Sequence, residues 1–264
     1  MKTIWKGSIS FGLVTIPIRV YTAVDEKSLK FNQLHAADQG RVKYKRVCSV
    51  DGEEVPFDQI VKGFEYEKDH YVVLTEDELD RGVAGTRTID VLKFVRADEI
   101  DPILWKASYY LAPDAAGAKA YALLRKALGD EGLVALVKLA WRDKEHLGTL
   151  RVKDRAFVLE TMYWPDEIRE PAFEELAEDP PVGEQEVSMA RMLIDSMTDA
   201  FKPDEFRDTY RERLEALVQR KIEGQEIAVV EEEGPTGAVV DLMEALRQSV
   251  EAVTKKSEAE SAAG

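Results

Sequence analysis

Trp5-Lys6-Gly7-Ser8-Ile9-Ser10-Phe11-Gly12-Leu13-Val14-Thr15-Ile16-Pro17-Ile18-Arg19-Val20 reads as β-structure from end to end. Ile9, Phe11 and Leu13 alternate with small residues, and Ile16, Ile18 and Val20 resume the alternation after a one-residue shift. A period of two places successive apolar side chains on one face of a strand. Pro17 has no N–H to give to a ladder, so beside that shift it predicts a bulge or an edge position.

Strand signals recur outward from there. Val42-Lys43-Tyr44-Lys45-Arg46-Val47-Cys48-Ser49-Val50 alternates, with Val42, Tyr44, Cys48 and Val50 on one face and Lys43 and Lys45 on the other. Asp51-Gly52 then predicts a hairpin whose return starts at Glu54-Val55. A two-stranded ribbon with lysines on one side is an object that can lie along phosphates. Further strands are read at 71–74, 87–96, 109–111, 133–141 and 155–163. Thr75-Glu76-Asp77-Glu78 has capping-box spacing and predicts a short helix. Residues 115–128 have helical composition, with Gly129 as the stop. Six or more strands with only two short helices predict a closed or strongly curved sheet rather than a doubly wound one. The fold class is α+β, mainly β: a β-barrel core with a two-stranded bridge, a helical C-terminal arm and an amphipathic tail helix.

The chain changes character after about residue 165. Residues 166–186 are rich in Pro, Glu and Asp and predict an irregular connection. Helices are predicted over 187–201 and 203–222, the second with Pro203 in its first turn and Gly224 closing it. Residues 231–237 read as a linker. Val239, Val240, Met243, Leu246, Val250 and Val253 then mark an amphipathic helix. The resulting division is a core over 1–186, an arm over 187–224, and an acidic linker, helix and tail over 225–264.

The formal net charge of −15 at first argues against a nucleic-acid partner, since binding to phosphate is driven by Lys and Arg. The charge is unevenly placed. Residues 1–160 carry equal numbers of basic and acidic side chains, so the whole excess falls on 161–264. Within the balanced part, Lys27, Lys30, Arg41, Lys43, Lys45 and Arg46 face only Asp38 over residues 27–46, and 119–155 is a second basic stretch. Local fields decide what a surface attracts. Cys48 is the only cysteine, which rules out an intrachain disulfide, and the N-terminus has no signal-peptide pattern. Both point to a reducing cytoplasm, and no apolar run of about 18 residues predicts a membrane span.

Catalytic signatures are sparse. There is no phosphate-cradling glycine motif, no nucleophile elbow, and His35, His70 and His146 are never paired at ligand spacing. Cys48 reads as a small apolar side chain. Ser49-Val50-Asp51-Gly52 superficially resembles a nucleotidyl-transfer motif, but that chemistry needs a lysine where Ser49 stands. A metal-dependent nuclease would have to draw on Asp25, Glu26 and Lys27 with a further acid. No cofactor and no metal site is predicted.

Several segments in order resemble one family: residues 5–14, Tyr44-Lys45-Arg46-Val47-Cys48, Ile60-Val61-Lys62-Gly63-Phe64-Glu65-Tyr66, Tyr109-Tyr110-Leu111-Ala112-Pro113-Asp114 and Asp241-Leu242-Met243-Glu244-Ala245-Leu246. Together they are similar to bacterial Ku, the DNA-end-binding family of non-homologous end joining, from Met1 to about Val253. The resemblance implies a β-barrel with an extended bridge, and two copies interlocked in a ring that a duplex end threads. It implies no catalytic residues and no cofactor. It also implies recruitment of an ATP-dependent ligase of the ligase D type through the C-terminal region, in a cytoplasmic, nucleoid-associated setting. Many bacterial relatives continue into a lysine-rich tail, whereas here only Lys255 and Lys256 precede an acidic, alanine-rich end.

A ring that accepts any end must hold backbone rather than bases. The candidate phosphate contacts are Lys30, Arg41, Lys43, Lys45 and Arg46 of the bridge-like hairpin, then Arg19, Lys62, Lys119, Arg125, Lys126 and Arg142. Trp5, Phe11 and Tyr110 read as core rather than as base-stacking groups. The helices of 187–222 are assigned to a homodimer contact, and Leu242, Met243, Leu246 and Val250 to ligase docking. A nonspecific architectural DNA-binding protein without end selectivity is the alternative.

Overall fold

The structure, a computed structural model, describes residues 1–82, 87–141, 144–224 and 244–251. It divides into two compact units: Met1–Lys27 with Phe31–Glu170, and Ser28–Lys30 with the chain from Pro171 onward. Among the described residues nine strands are formed: β1 (Trp5–Phe11), β2 (Val14–Thr22), β3 (Lys62–Glu67), β4 (His70–Leu74), β5 (Thr88–Arg96), β6 (Trp105–Pro113), β7 (Leu133–Trp141), β8 (Lys144–Lys153) and β9 (Ala156–Met162). The helices are α1 (Glu76–Gly82), α2 (Ala118–Glu131), α3 (Glu184–Met197) and α4 (Thr209–Ile222). Among the described residues no helix is long and apolar enough to cross a membrane.

Seven strands close a barrel in the order β1-β2-β6-β9-β8-β7-β5. Neighbours are antiparallel except β1 and β5, whose parallel pairing of Ile9 with Ile89 seals the seam. The predicted bulge at Pro17 is not formed. Register runs unbroken from Trp5↔Val20 to Phe11↔Val14, and the shift in the sequence is a hairpin turn at Gly12-Leu13. Gly12 takes φ +58, and Leu13 stands wholly in solvent. Pro17 fits a regular strand for a simple reason. Its partner Ser8 donates its N–H to the Arg87 carbonyl on the far side (3.0 Å), so the Ser8–Pro17 pair exchanges no ladder bond. The imide nitrogen of Pro17 turns away from β1, where β2–β6 pairing ends at Ile18↔Pro113.

One face of every barrel strand fills the interior. Ile9, Ile16, Ile18, Ile89, Leu111, Val137, Leu150, Phe157 and Leu159 are all buried. α2 adds Tyr121, Leu124 and Leu128 to the same core. The Tyr121 hydroxyl donates to the Leu111 carbonyl (2.6 Å) and accepts from the Phe157 N–H (2.7 Å), tying the helix to β6 and β9 at once. Burial pushes the pKa of this phenol up. Gly129 is not the helix stop. Leu128 is still buried there, and the helix continues to Gly132, whose φ of +64 supplies the left-handed C-terminal cap.

Between β2 and β5 the chain leaves the barrel, and no residue from Thr22 to Leu79 is buried. The expected turn at Asp51-Gly52 forms, with Gly52 at φ +76 and the Cys48 N–H donating to the Glu53 carbonyl (2.8 Å). The ladder beneath it is shorter than predicted. Only the isolated bridge Val47↔Glu54 and a bond from Val55 N–H to the Arg46 carbonyl follow. The regular two-stranded sheet lies further on, where β3 pairs with β4. The capping box at Thr75 is present: the Glu78 carboxylate accepts from the Thr75 N–H (2.9 Å) and hydroxyl (2.8 Å). Those bonds hold the Glu78 carboxyl below its usual range.

In the second unit, α3 and α4 contain no buried residue. α4 starts later than predicted. Pro203 opens a separate single turn over Pro203–Glu205, and Asp208 caps the helix by accepting from the Arg211 N–H (2.9 Å). Residues 244–251 are helical.

Candidate nucleic-acid interface

The excursion between β2 and β5 carries most of the predicted cations, all on exposed residues: Lys30, Arg41, Lys43, Lys45, Arg46 and Lys62. They differ in how freely they could meet a phosphate. Lys45 Nζ lies 2.6 Å from Glu54 Oε2 across the turn. The Arg46 guanidinium lies over the Phe57 ring, 5.4 Å from its centroid, a cation–π contact. Lys62 is on β3, opposite Leu74. A phosphate must draw Lys45 away from Glu54, an exchange that exposed ion pairs make at little cost.

The barrel candidates are of two kinds. Arg19 on β2 is tied within the chain, its Nε 2.8 Å from Asp114 Oδ1. Arg125 on α2 donates to the Asp154 carbonyl (3.2 Å) at the β8–β9 turn. Lys119 and Lys126, on the same helix, are exposed. Arg142, Leu242 and Met243 lie outside the described residues; Leu246 and Val250 are half-buried in the helical stretch 244–251.

Of the aromatics read as core, Trp5 packs against the barrel interior. Phe11 is 39% exposed at the barrel rim, edge-on to Phe94 at 5.5 Å. Tyr110 is half-buried and points outward, since its neighbour Leu111 points in. Arg151 and Glu160 form an ion pair of 2.8 Å on the outer barrel wall. Among the described residues no three His, Cys, Asp or Glu side chains gather as a metal site. Two residues absent from the candidate contacts, Lys153 and Arg155, stand beside Tyr21 and Tyr110 on the barrel flank. Their only signal in the sequence was membership of the basic stretch 119–155.

A closed seven-stranded barrel with a long, uncored excursion between β2 and β5, basic over 27–46, defines a scaffold with an extended arm. Residues 10–189 match the family model described as the Ku70/Ku80 beta-barrel domain. The chain belongs to the Ku family. It is 48% identical over 254 residues to the non-homologous end joining protein Ku of Frankia casuarinae, covering 96% of this chain and 64% of that relative. It is 42% identical to the protein of the same name from Mycolicibacterium smegmatis, over 96% and 82% of the two chains. With the Mycobacterium tuberculosis protein the identity is 38%, over 97% of each.

Proposed function

We propose that this chain binds the ends of double-stranded DNA without regard to sequence, as a ring-shaped homodimer, and holds or protects them in non-homologous end joining. One observation carries the reading. A family member with a closed barrel extends nearly sixty residues that bury nothing of their own and expose Arg41, Lys43, Lys45, Arg46 and Lys62. A bare two-stranded sheet is marginal in water, so such an excursion is made to be completed by a partner. Its stretch 27–46, with six cations against Asp38 alone, favours a polyanion as that partner. The helices support the dimer: α3 and α4 expose Met192, Ile194, Met197, Tyr210 and Ile222 with no buried residue between them. The reading needs no catalytic step and no cofactor.

Recruitment of an ATP-dependent ligase of the ligase D type is assigned to the amphipathic segment with Leu242, Met243, Leu246 and Val250. Removing residues 238–264 then abolishes ligase stimulation and spares end binding. The deciding experiment compares linear duplex with closed circular duplex of equal length. A preformed ring binds the first and cannot thread the second. Equal affinity for both refutes the ring and leaves a nonspecific architectural DNA-binding protein.

A further inference from the structure

We propose that Glu54 sets how tightly the excursion holds DNA, by competing with phosphate for the Lys45 ammonium. The proposal rests on the DNA-binding reading and adds the residue that moderates the same surface. Glu54 acts through Lys45, so it is a positioning residue and not a contact.

The register of the turn brings the two side chains together. Gly52 takes φ +76, and its N–H donates to the Cys48 carbonyl (3.0 Å). The Cys48 N–H donates to the Glu53 carbonyl (2.8 Å), and the Glu53 N–H donates to Asp51 Oδ1 (2.9 Å). Beyond this closed loop Val47 bridges to Glu54, and the Val55 N–H donates to the Arg46 carbonyl (2.9 Å). With Val47 opposite Glu54, Lys45 is the diagonal neighbour of Glu54 on the same face. Its Nζ meets Glu54 Oε2 at 2.6 Å. Arg46, one residue on, belongs to the other face. Its diagonal neighbour there is Phe57, and it lies over that ring. The hairpin thus carries one cation on each face, one against an acid and one against an aromatic ring.

The two supports affect an incoming phosphate differently. A ring under a guanidinium leaves the N–H groups at its edge able to donate. A carboxylate takes up a donor of the ammonium and cancels its charge. The Lys45 and Glu54 side chains are 73% and 58% exposed, so a phosphate can reach the same Nζ without any movement of the backbone. In the free chain the pair is made, and in the complex it is exchanged for a bond to phosphate. The free energy of the pair is therefore subtracted from binding. When the phosphate leaves, the carboxylate takes the ammonium back, which favours release. The other acids of the turn are placed differently. Asp51 accepts from the Glu53 N–H, and Glu53 makes no ion pair among the described residues.

The test compares the wild type, Glu54→Gln and Glu53→Gln as full chains. A labelled linear duplex is bound by each and followed by fluorescence anisotropy from about 50 to 200 mM salt. Both variants remove one acid from the same turn, so a general field effect moves them equally. An exposed ion pair corresponds to a factor of about 1.5–5 in an equilibrium constant. Glu54→Gln should therefore tighten binding by about that factor per subunit at the lowest salt, and slow dissociation. Its advantage should shrink as salt rises, because the pair itself is screened. Glu53→Gln should stay near the wild type. Amine labelling of Lys45 in the DNA-free chain, read by mass spectrometry, should be faster in Glu54→Gln, which reports the pair directly. Equal gains in the two variants, or no gain in Glu54→Gln, overturn the proposal. So does unchanged labelling, since the pair is then not made in solution. A wild type that fails to bind linear duplex removes the underlying DNA-binding reading, whatever the labelling shows, so the two failures are told apart.

Discussion

Replacing Lys43, Lys45 and Arg46 together by alanine tests whether the excursion holds DNA. The structure predicts little damage to folding. All three residues are exposed, Lys45 gives up only a surface pair with Glu54, and Arg46 gives up its cation–π contact with Phe57. An exposed pair is worth about 0.2–1 kcal/mol. Since the barrel core lies elsewhere, its unfolding midpoint should move by no more than about 4 °C. The binding effect is much larger. Each phosphate contact contributes about 0.9 to the salt slope, so three contacts give about 2.7 per subunit and about 5 in a two-copy ring. Between 50 and 200 mM salt, the variant should lose roughly a thousandfold less affinity than the wild type, because it has fewer counterions to release. The loss should be the same for duplexes of unlike sequence, since phosphates carry no base information. Lys43 alone should cost more than Lys45 alone, because Lys45 must first leave Glu54. Anisotropy on a labelled linear duplex measures all of this. A triple variant with wild-type slope and affinity refutes the assignment of the excursion to DNA.

Three further predictions concern the barrel that carries it. Tyr121→Phe leaves the Phe157 N–H and the Leu111 carbonyl without their buried partner, and should cost about 2–3 kcal/mol in chemical denaturation. The phenol's raised pKa also means that its stabilisation is complete below about pH 10 and is lost as the pH climbs toward the folded-state value. The variant should therefore show a shallower alkaline loss of stability than the wild type. Gly7→Ala would drive a methyl group into the Arg87 carbonyl and the Trp5 ring, and should lower stability by about 1–3 kcal/mol. A midpoint equal to the wild type would show that β1 and β5 close less tightly than the structure has them. Arg151→Ala strands the Glu160 carboxylate, which is 7% exposed and keeps only Thr149 Oγ1 at 3.5 Å. Breaking a pair whose acid is buried should cost about 3 kcal/mol, and Glu160→Gln in the same chain should recover part of it in thermal melts.

The barrel was legible where one face of a strand meets the core and the other meets water. β7 was placed at its observed ends, and β5, β6 and β9 were found. β8 was not. Lys144-Glu145-His146-Leu147-Gly148-Thr149-Leu150 is polar for a barrel wall, because its outward Thr149 joins Arg151 and Glu160 rather than solvent. β3 was missed for the opposite reason, since every one of its residues is exposed and nothing imposes alternation. Residues 42–50 alternate without becoming a strand. Alternation reports a half-buried face, and no buried residue lies in that stretch to make one. The charge clusters were legible as composition, but the pairing of Lys45 with Glu54 was not. Only the register of the turn brings those two side chains onto one face.

The formal charge of −15 settles on the same side of a boundary that the folding does. All of it lies in residues 161–264, and the second unit takes over from the barrel at Pro171. The two surfaces that bury nothing are therefore unlike in kind. The excursion is basic over 27–46, with one acid against six cations, whereas α3 and α4 expose the apolar Met192, Ile194, Met197, Tyr210 and Ile222. A cationic surface gains by meeting phosphate and loses that gain as salt rises. An apolar surface gains by shedding water, and salt does not weaken that gain and can strengthen it. Ionic strength thus separates the two partners. At high salt the chain should let go of duplex while its self-association persists, and an association that dissolves with the DNA complex would mean that one surface serves both.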